Sequence, residues 1–154
     1  MRLSEILRPS GVKVLTSASS KRRLFQELGE MAQASWRPDA AEVCEALLAR
    51  EAMGPTGVGH GVALPHARLQ AVPSVLGLFL RLDRALDFDA VDRQPVDLVF
   101  GLLAPAASGV DHLKALALVS RTMRDPATCQ KLRANSDPGT LHTILTEGPA
   151  HLAA

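Results

Sequence analysis

Two stretches of this chain are almost continuously apolar, VLGLFLRL at 75–82 and VDLVFGLLA at 96–104. Runs of that length without polar alternation predict strands covered by helices on both faces, and therefore central in their sheet. Upstream the period changes. VKVLTSA at 12–18 is short and β-branched and predicts a strand; Ser19 or Ser20 then caps a helix in which Leu24, Leu28, Met31 and Ala32 recur at the spacing of one buried face. A second helix follows. Asp39 with Glu42 makes a capping-box pattern, Val43, Ala46, Leu47 and Arg50 or its neighbours form the buried stripe, and Gly54-Pro55 is the stop signal.

Between the two apolar runs, RALDFDAVDRQP is polar and turn-rich and predicts a short edge strand with a hairpin-like connection. Beyond Pro105 the pattern turns helical three times. Ser108 or Asp111 can cap HLKALALVSRTMR, Asp125-Pro126 opens a second segment, Ser136 or Asp137 with Pro138 opens a third, and GPAHLAA at the end is expected to fray. No repeat or linker divides the chain. The order implies an α/β layered sandwich, one domain over residues 1–154.

Composition narrows the function. Seventeen Lys and Arg against sixteen Asp and Glu leave a formal charge of +1, too balanced to concentrate a polyanion, and four Phe, one Trp and no Tyr offer few platforms for stacking bases. Nucleic acid is not an expected partner. The triplet Lys21-Arg22-Arg23 reads as a solvated first helical turn. Cys44 and Cys129 have no CxxC spacing and both fall in helical segments, as buried thiols of a reducing compartment do. The polar start LSEILRPSG is unlike a signal peptide, and no apolar run reaches the ~18 residues of a membrane span. A soluble cytoplasmic protein with no membrane insertion is expected.

The candidate chemistry lies in GPTGVGHGVALPHARL, residues 54–69. Gly57, Gly59 and Gly61 alternate with Val58 and His60, so the backbone can twist, turn or aim N–H groups at an anion. Neither GxxxxGK[ST] nor GxGxxG is present, and a bulged strand or tight turn explains the glycines equally well. Pro65 has a fixed φ and no N–H and holds Leu64 extended, which gives His66 a stiff mount. An imidazole is nucleophilic near pH 7 and can take and release a phosphoryl group or a proton; a loop histidine can also be plain surface. On the helix near Asp111, His112 shares a face with Leu116, Val119 and Met123, at a helix end suited to anions, unless it is a locally bonded core histidine. Arg50 and Arg68 can bind phosphate oxygens or can be solvated arginines. His60, His142 and His151 are weaker candidates: a loop position, a solvent-side helix position and the tail.

REAMGPTGVGHGVALPHA resembles the active-site segment of type-2 enzyme IIA domains of the bacterial phosphoenolpyruvate-dependent phosphotransferase system, the fructose/mannitol/nitrogen-regulatory group. Glu51, the Val58-Gly59 pair, VALPH and Ala67 match in order and spacing. VCEALLAREAMG, VLGLFLRL, RQPVDLVFGLLAPA with HLKALALVSR, and KLRANSD extend the likeness toward the nitrogen-regulatory branch. The resemblance implies an α/β fold with a mixed sheet of about five strands and helices on both faces. It implies that His66 is the phosphorylated histidine, with His112, Arg50 and Thr56 beside it, and that no cofactor and no metal is needed. It implies an HPr-like phosphocarrier as donor, and as partners either regulatory targets such as sensor kinases or potassium transporters, or a IIB domain if the chain serves sugar transport. Pro55 stands where serine is common, His60 where a small polar residue is usual and Ala67 where glycine is common; none removes the acceptor. Two other classes remain open on the residues alone: a metal-dependent hydrolase using His60, His66 and His112 with a carboxylate, and an interaction module whose histidines are inert.

Overall fold

The computed structural model describes residues 1–36, 38–107 and 109–153, with the side chains of Trp36 and of 148–153 outside the description. A one-turn helix α1 (Leu3–Ile6) leads into strand β1 (Leu7–Leu15), then helices α2 (Lys21–Trp36) and α3 (Ala40–Ala52). Three short strands follow, β2 (Gly57–Gly59), β3 (Val62–Ala63) and β4 (His66–Leu69), before the long β5 (Leu76–Leu86) and β6 (Val96–Pro105). Helices α4 (Val110–Met123), α5 (Pro126–Arg133) and α6 (Pro138–Ala153) complete the chain.

The described strands form one six-stranded mixed sheet in the order β1-β5-β6-β3-β2, with β4 also on β6. β1 runs parallel to β5, β5 antiparallel to β6, and β3 and β4 parallel to β6. The two apolar runs are thus the central strands, as expected. Side-chain alternation along them feeds two cores. Leu76, Leu78, Leu80 and Leu82 of β5 pack with Leu24, Phe25, Leu28, Val43 and Leu47 of α2 and α3. Leu98, Phe100 and Leu102 of β6 pack on the opposite face with Ala115, Val119, Leu132, Leu141 and Leu145 of α4 to α6. Leu24, Phe25 and Leu28 are fully buried, and each such side chain contributes about 1.5–3 kcal/mol by leaving water.

The caps follow the sequence closely. Ser20 Oγ accepts from the Arg23 amide, Asp39 from Glu42, Asp125 from Thr128 and Asp137 from Thr140. Helix α4 differs: Gly109 is its N-cap with no side-chain bond, and Asp111 lies inside the first turn rather than capping it; Ser108, the other expected cap, lies outside the described residues.

Three further expectations change. β1 begins at Leu7, five residues earlier than the β-branched run, because Leu7 and Val12 both bury on the sheet. The segment 84–95 forms no edge strand; β5 continues to Leu86 and the chain then turns through Asp89 and Arg93, both at positive φ. The glycine segment takes the bulged-strand and tight-turn form that the sequence allowed: β2 and β3 form a small antiparallel hairpin with Gly59, His60 and Gly61 at φ of 103°, 56° and 77° at its turn. At Gly61 the positive φ favours glycine, and a side chain there would also displace the Arg133 guanidinium, whose Nη2 lies 2.5 Å from the place of a Cβ. The helical backbone of α6 continues to Ala153 where fraying was expected. Among the described residues no helix is long and apolar enough to cross a membrane.

Candidate functional site

Residues 62–69 lie along β6 as one parallel strand interrupted at Leu64-Pro65. Val62 and Ala63 pair with Leu98 and Val99, and His66 to Leu69 pair with Leu102 to Pro105. Pro65 has no amide proton, and its carbonyl accepts from the Leu102 amide at 2.9 Å. The interruption frees Leu64 to bond elsewhere: its N–H donates to the Thr56 carbonyl at 3.0 Å, closing the base of the hairpin. Its own carbonyl lies 2.9 Å from His66 Nδ1. A carbonyl can only accept, so Nδ1 carries the ring proton and Nε2 keeps its lone pair.

Two other groups flank the His66 ring. Arg50, in the last turn of α3, donates from Nε to His66 Nε2 at 3.3 Å and from Nη1 to the Gly54 carbonyl at 2.9 Å. His112, in the first turn of α4, presents its ring edge-on, with centroids 5.5 Å apart and planes at 63°. His112 is buried, and among the described residues neither of its ring nitrogens has a hydrogen-bond partner. The ring lines the same cleft as His66, Arg50 and Arg68. Burial, followed by the neighbouring charges of His66 and Arg68, lowers the His112 pKa below 6.5, which keeps this ring neutral at pH 7.

The cleft holds about 510 Å³ and is lined by Ala49, Arg50, Met53, His66, Arg68 and His112 among others, none of them acidic. Two arginines and two imidazoles without a carboxylate suit an oxyanion. Thr56 does not reach this cleft. It is buried behind it, with its N–H 3.0 Å from Glu51 Oε2 and its hydroxyl donating to Glu51 Oε1. His60 is in the hairpin turn, its N–H on Asp92 and its carbonyl on Arg133, away from the cleft. His142, expected at a solvent-side position, is half-buried and bonds the Leu7 carbonyl at 2.9 Å; the His151 side chain lies outside the description. A larger cavity of about 610 Å³, between the β2–β3 hairpin and α4–α5, contains neither cleft histidine. Among the described residues no three His, Cys, Asp or Glu side chains are placed to hold a metal ion together.

Sequence reasoning left two groups in the wrong role. Lys21, read as a solvated residue, donates to the buried Glu51 carboxylate at 2.8 Å and sits 4.9 Å over the Phe88 ring. Glu51 itself entered only as a motif match, although an acidic residue at the buried last turn of an apolar helix is a signal in its own right.

A family model described as "Phosphoenolpyruvate-dependent sugar phosphotransferase system, EIIA 2" matches residues 5–148. The chain is 42% identical over 153 residues to a nitrogen regulatory protein of Bradyrhizobium diazoefficiens, covering 99% of this chain and 100% of that one. It is 38% identical over 109 residues to a PTS system fructose-specific EIIA component of Haloferax volcanii, covering 71% of each. Among solved structures it is similar to nitrogen regulatory protein IIA-Ntr from Neisseria meningitidis, with a TM-score of 0.86, 35% identity, and coverage of 94% of this chain and 99% of that chain.

Proposed function

Because the chain belongs to the EIIA 2 family of the phosphoenolpyruvate-dependent sugar phosphotransferase system, we propose that it carries a phosphoryl group on Nε2 of His66. The observation that carries this reading is the bond from His66 Nδ1 to the Leu64 carbonyl, which leaves Nε2 as the nucleophilic nitrogen in an acid-free cleft. The donor is a phosphohistidine of an HPr-like carrier. The Nε2 lone pair forms a new N–P bond as the donor's N–P bond breaks, and the leaving electron pair returns to the donor imidazole. The transition state is loose, so the protein's work is positioning and spreading charge over the equatorial oxygens. Arg50 exchanges its bond to Nε2 for the incoming oxygens, and neutral His112 donates a ring N–H to them. Met53, exposed on the lining of the cleft, with the exposed Val110 and Leu113 of the same helix as His112, offers apolar surface for a docked donor to cover, excluding water.

The output is regulatory in this reading, supported by the nitrogen regulatory relatives. A phosphoryl group adds about −1.5 to −2 charge, so a partner that buries the cleft and this apolar surface discriminates between the two forms. A sugar-transport role is the second reading, favoured by the fructose-specific relative; there the phosphate passes to a IIB domain.

The test combines purified protein with phosphoenolpyruvate, enzyme I and an HPr-like carrier. One acid-labile, base-stable phosphate is expected, and His66→Ala abolishes it. Uptake by the Ala variant at the wild-type level rejects the assignment. Rapid onward transfer to a sugar-specific IIB, with no partner preferring one phosphorylation state, selects the sugar-transport reading.

A further inference from the structure

Behind the cleft runs a continuous line of hydrogen bonds that ends on the nucleophile. Lys21 of α2 donates to Glu51 at the end of α3 at 2.8 Å. The same carboxylate accepts the Thr56 N–H and hydroxyl. Thr56 in turn offers its carbonyl to the Leu64 N–H at 3.0 Å, and Leu64 offers its carbonyl to His66 Nδ1 at 2.9 Å. Glu51 is only 9% exposed, and burying a carboxylate is unfavourable unless donors surround it. Here three do, and two of them belong to the residue that begins the glycine hairpin.

We propose that Glu51 is a positioning residue for phosphoryl transfer, which through Thr56 and Leu64 fixes the proton of His66 on Nδ1 and so keeps Nε2 nucleophilic, with Lys21 as its counter-ion. Two features separate this role from ordinary packing. The Leu64 carbonyl precedes Pro65, whose ring limits how far that peptide can adjust once Thr56 shifts. Lys21 also neutralises a buried negative charge on the flank of a site that receives an anion; an unpaired Glu51 carboxylate would oppose the incoming phosphoryl group. A buried glutamate elsewhere provides the control. Glu27 of α2 is 5% exposed and is bonded to Lys13 of β1, joining a helix to a strand with no link to the cleft histidines.

The inference rests on His66 as the phosphoryl acceptor, and its two readouts separate it from that reading. In the unphosphorylated protein, 15N-resolved NMR of His66 is expected to show the Nδ1-protonated ring. Glu51→Gln is expected to give a mixture of the two tautomers and to slow phosphoryl acceptance from the HPr-like carrier at least ~10-fold, equivalent to ~1.4 kcal/mol. Thr56→Val keeps the amide bond to Glu51 and loses the hydroxyl; it is expected to change both readouts in the same direction but less, and it carries the test if Glu51→Gln does not fold. Glu27→Gln lowers the melting temperature and leaves both readouts at the wild-type value. A folded Glu51→Gln or Thr56→Val protein with either readout unchanged overturns the proposal. Failure of the acceptor reading shows itself separately, as phosphate uptake by His66→Ala, while the tautomer measurement needs no phosphate at all.

Discussion

The two histidines of the cleft sit in contrasting surroundings. His66 stands on an edge strand where both ring nitrogens are engaged, Nδ1 by the Leu64 carbonyl and Nε2 by Arg50. His112 stands at the start of a helix with its ring buried and no hydrogen-bond partner among the described residues. The first arrangement fixes a tautomer and a direction before any donor arrives. The second places a buried imidazole on the lining of the same cleft, with no such tether among the described residues. In the proposed phosphoryl transfer, one ring serves as the nucleophile and the other meets the charge that develops.

Removing the second ring breaks the contrast most directly. His112→Ala is expected to slow acceptance from the phosphorylated carrier by ~10²-fold or more, the size typical of losing one donor to transition-state charge. Its melting temperature is expected to change little, because the lost packing is partly offset by removal of an unpaired polar group. Normal kinetics with a melting temperature several degrees lower would make His112 an ordinary core residue. The measurement is stopped transfer at fixed donor concentration alongside a thermal scan.

A smaller effect is expected from Arg50→Lys. Arg50 spans two acceptors, the Gly54 carbonyl and His66 Nε2, through different nitrogens of one planar group. An ammonium keeps the charge but cannot reproduce that fork. Transfer is expected to slow about 10-fold, corresponding to ~1.4 kcal/mol, with the His66 tautomer unchanged because the Leu64 bond is untouched. A shift in the tautomer would mean that Arg50, and not the backbone carbonyl, holds the ring.

Much of this division was legible in the chain. The continuous apolar runs at 75–82 and 96–104 placed the central strands, the Ser20, Asp39, Asp125 and Asp137 caps set the helix starts, and Pro65 announced a stiff mount for His66. What was not legible depends on partners far apart in sequence. The His66 ring proton is assigned by a carbonyl only two residues away, but that carbonyl is free only because Leu64 is held by Thr56 across the hairpin. Lys21 and Glu51 are thirty positions apart, and no local pattern connects them. Likewise, in the polar segment 84–95 where a short edge strand was expected, the Phe88 ring is buried against Phe25 with centroids 6.1 Å apart, so tertiary packing and not strand pairing decides its conformation.

The finest distinction between the two rings is their response to acid. Burial first, then His66 and Arg68, lowers the His112 pKa below its ordinary 6.5 in the folded chain. Between that lowered value and about 6.5 the unfolded chain binds the proton more readily than the folded one, so unfolding is favoured there as pH falls. About one unit or more above pH 6.5 the ring is nearly neutral in both states and contributes almost no slope. The difference in unfolding free energy between wild type and His112→Ala is therefore expected to be nearly level close to pH 8 and to decline as pH falls through about 6.5, with a slope of less than one proton, levelling again once the folded ring also protonates. Denaturant titrations at half-unit intervals from pH 8 to 5 measure this. A difference that stays level through the whole range, or that grows as acid is added, would mean that His112 accepts a proton in the fold as readily as in water, and would remove the argument that it meets the phosphoryl group as a neutral donor.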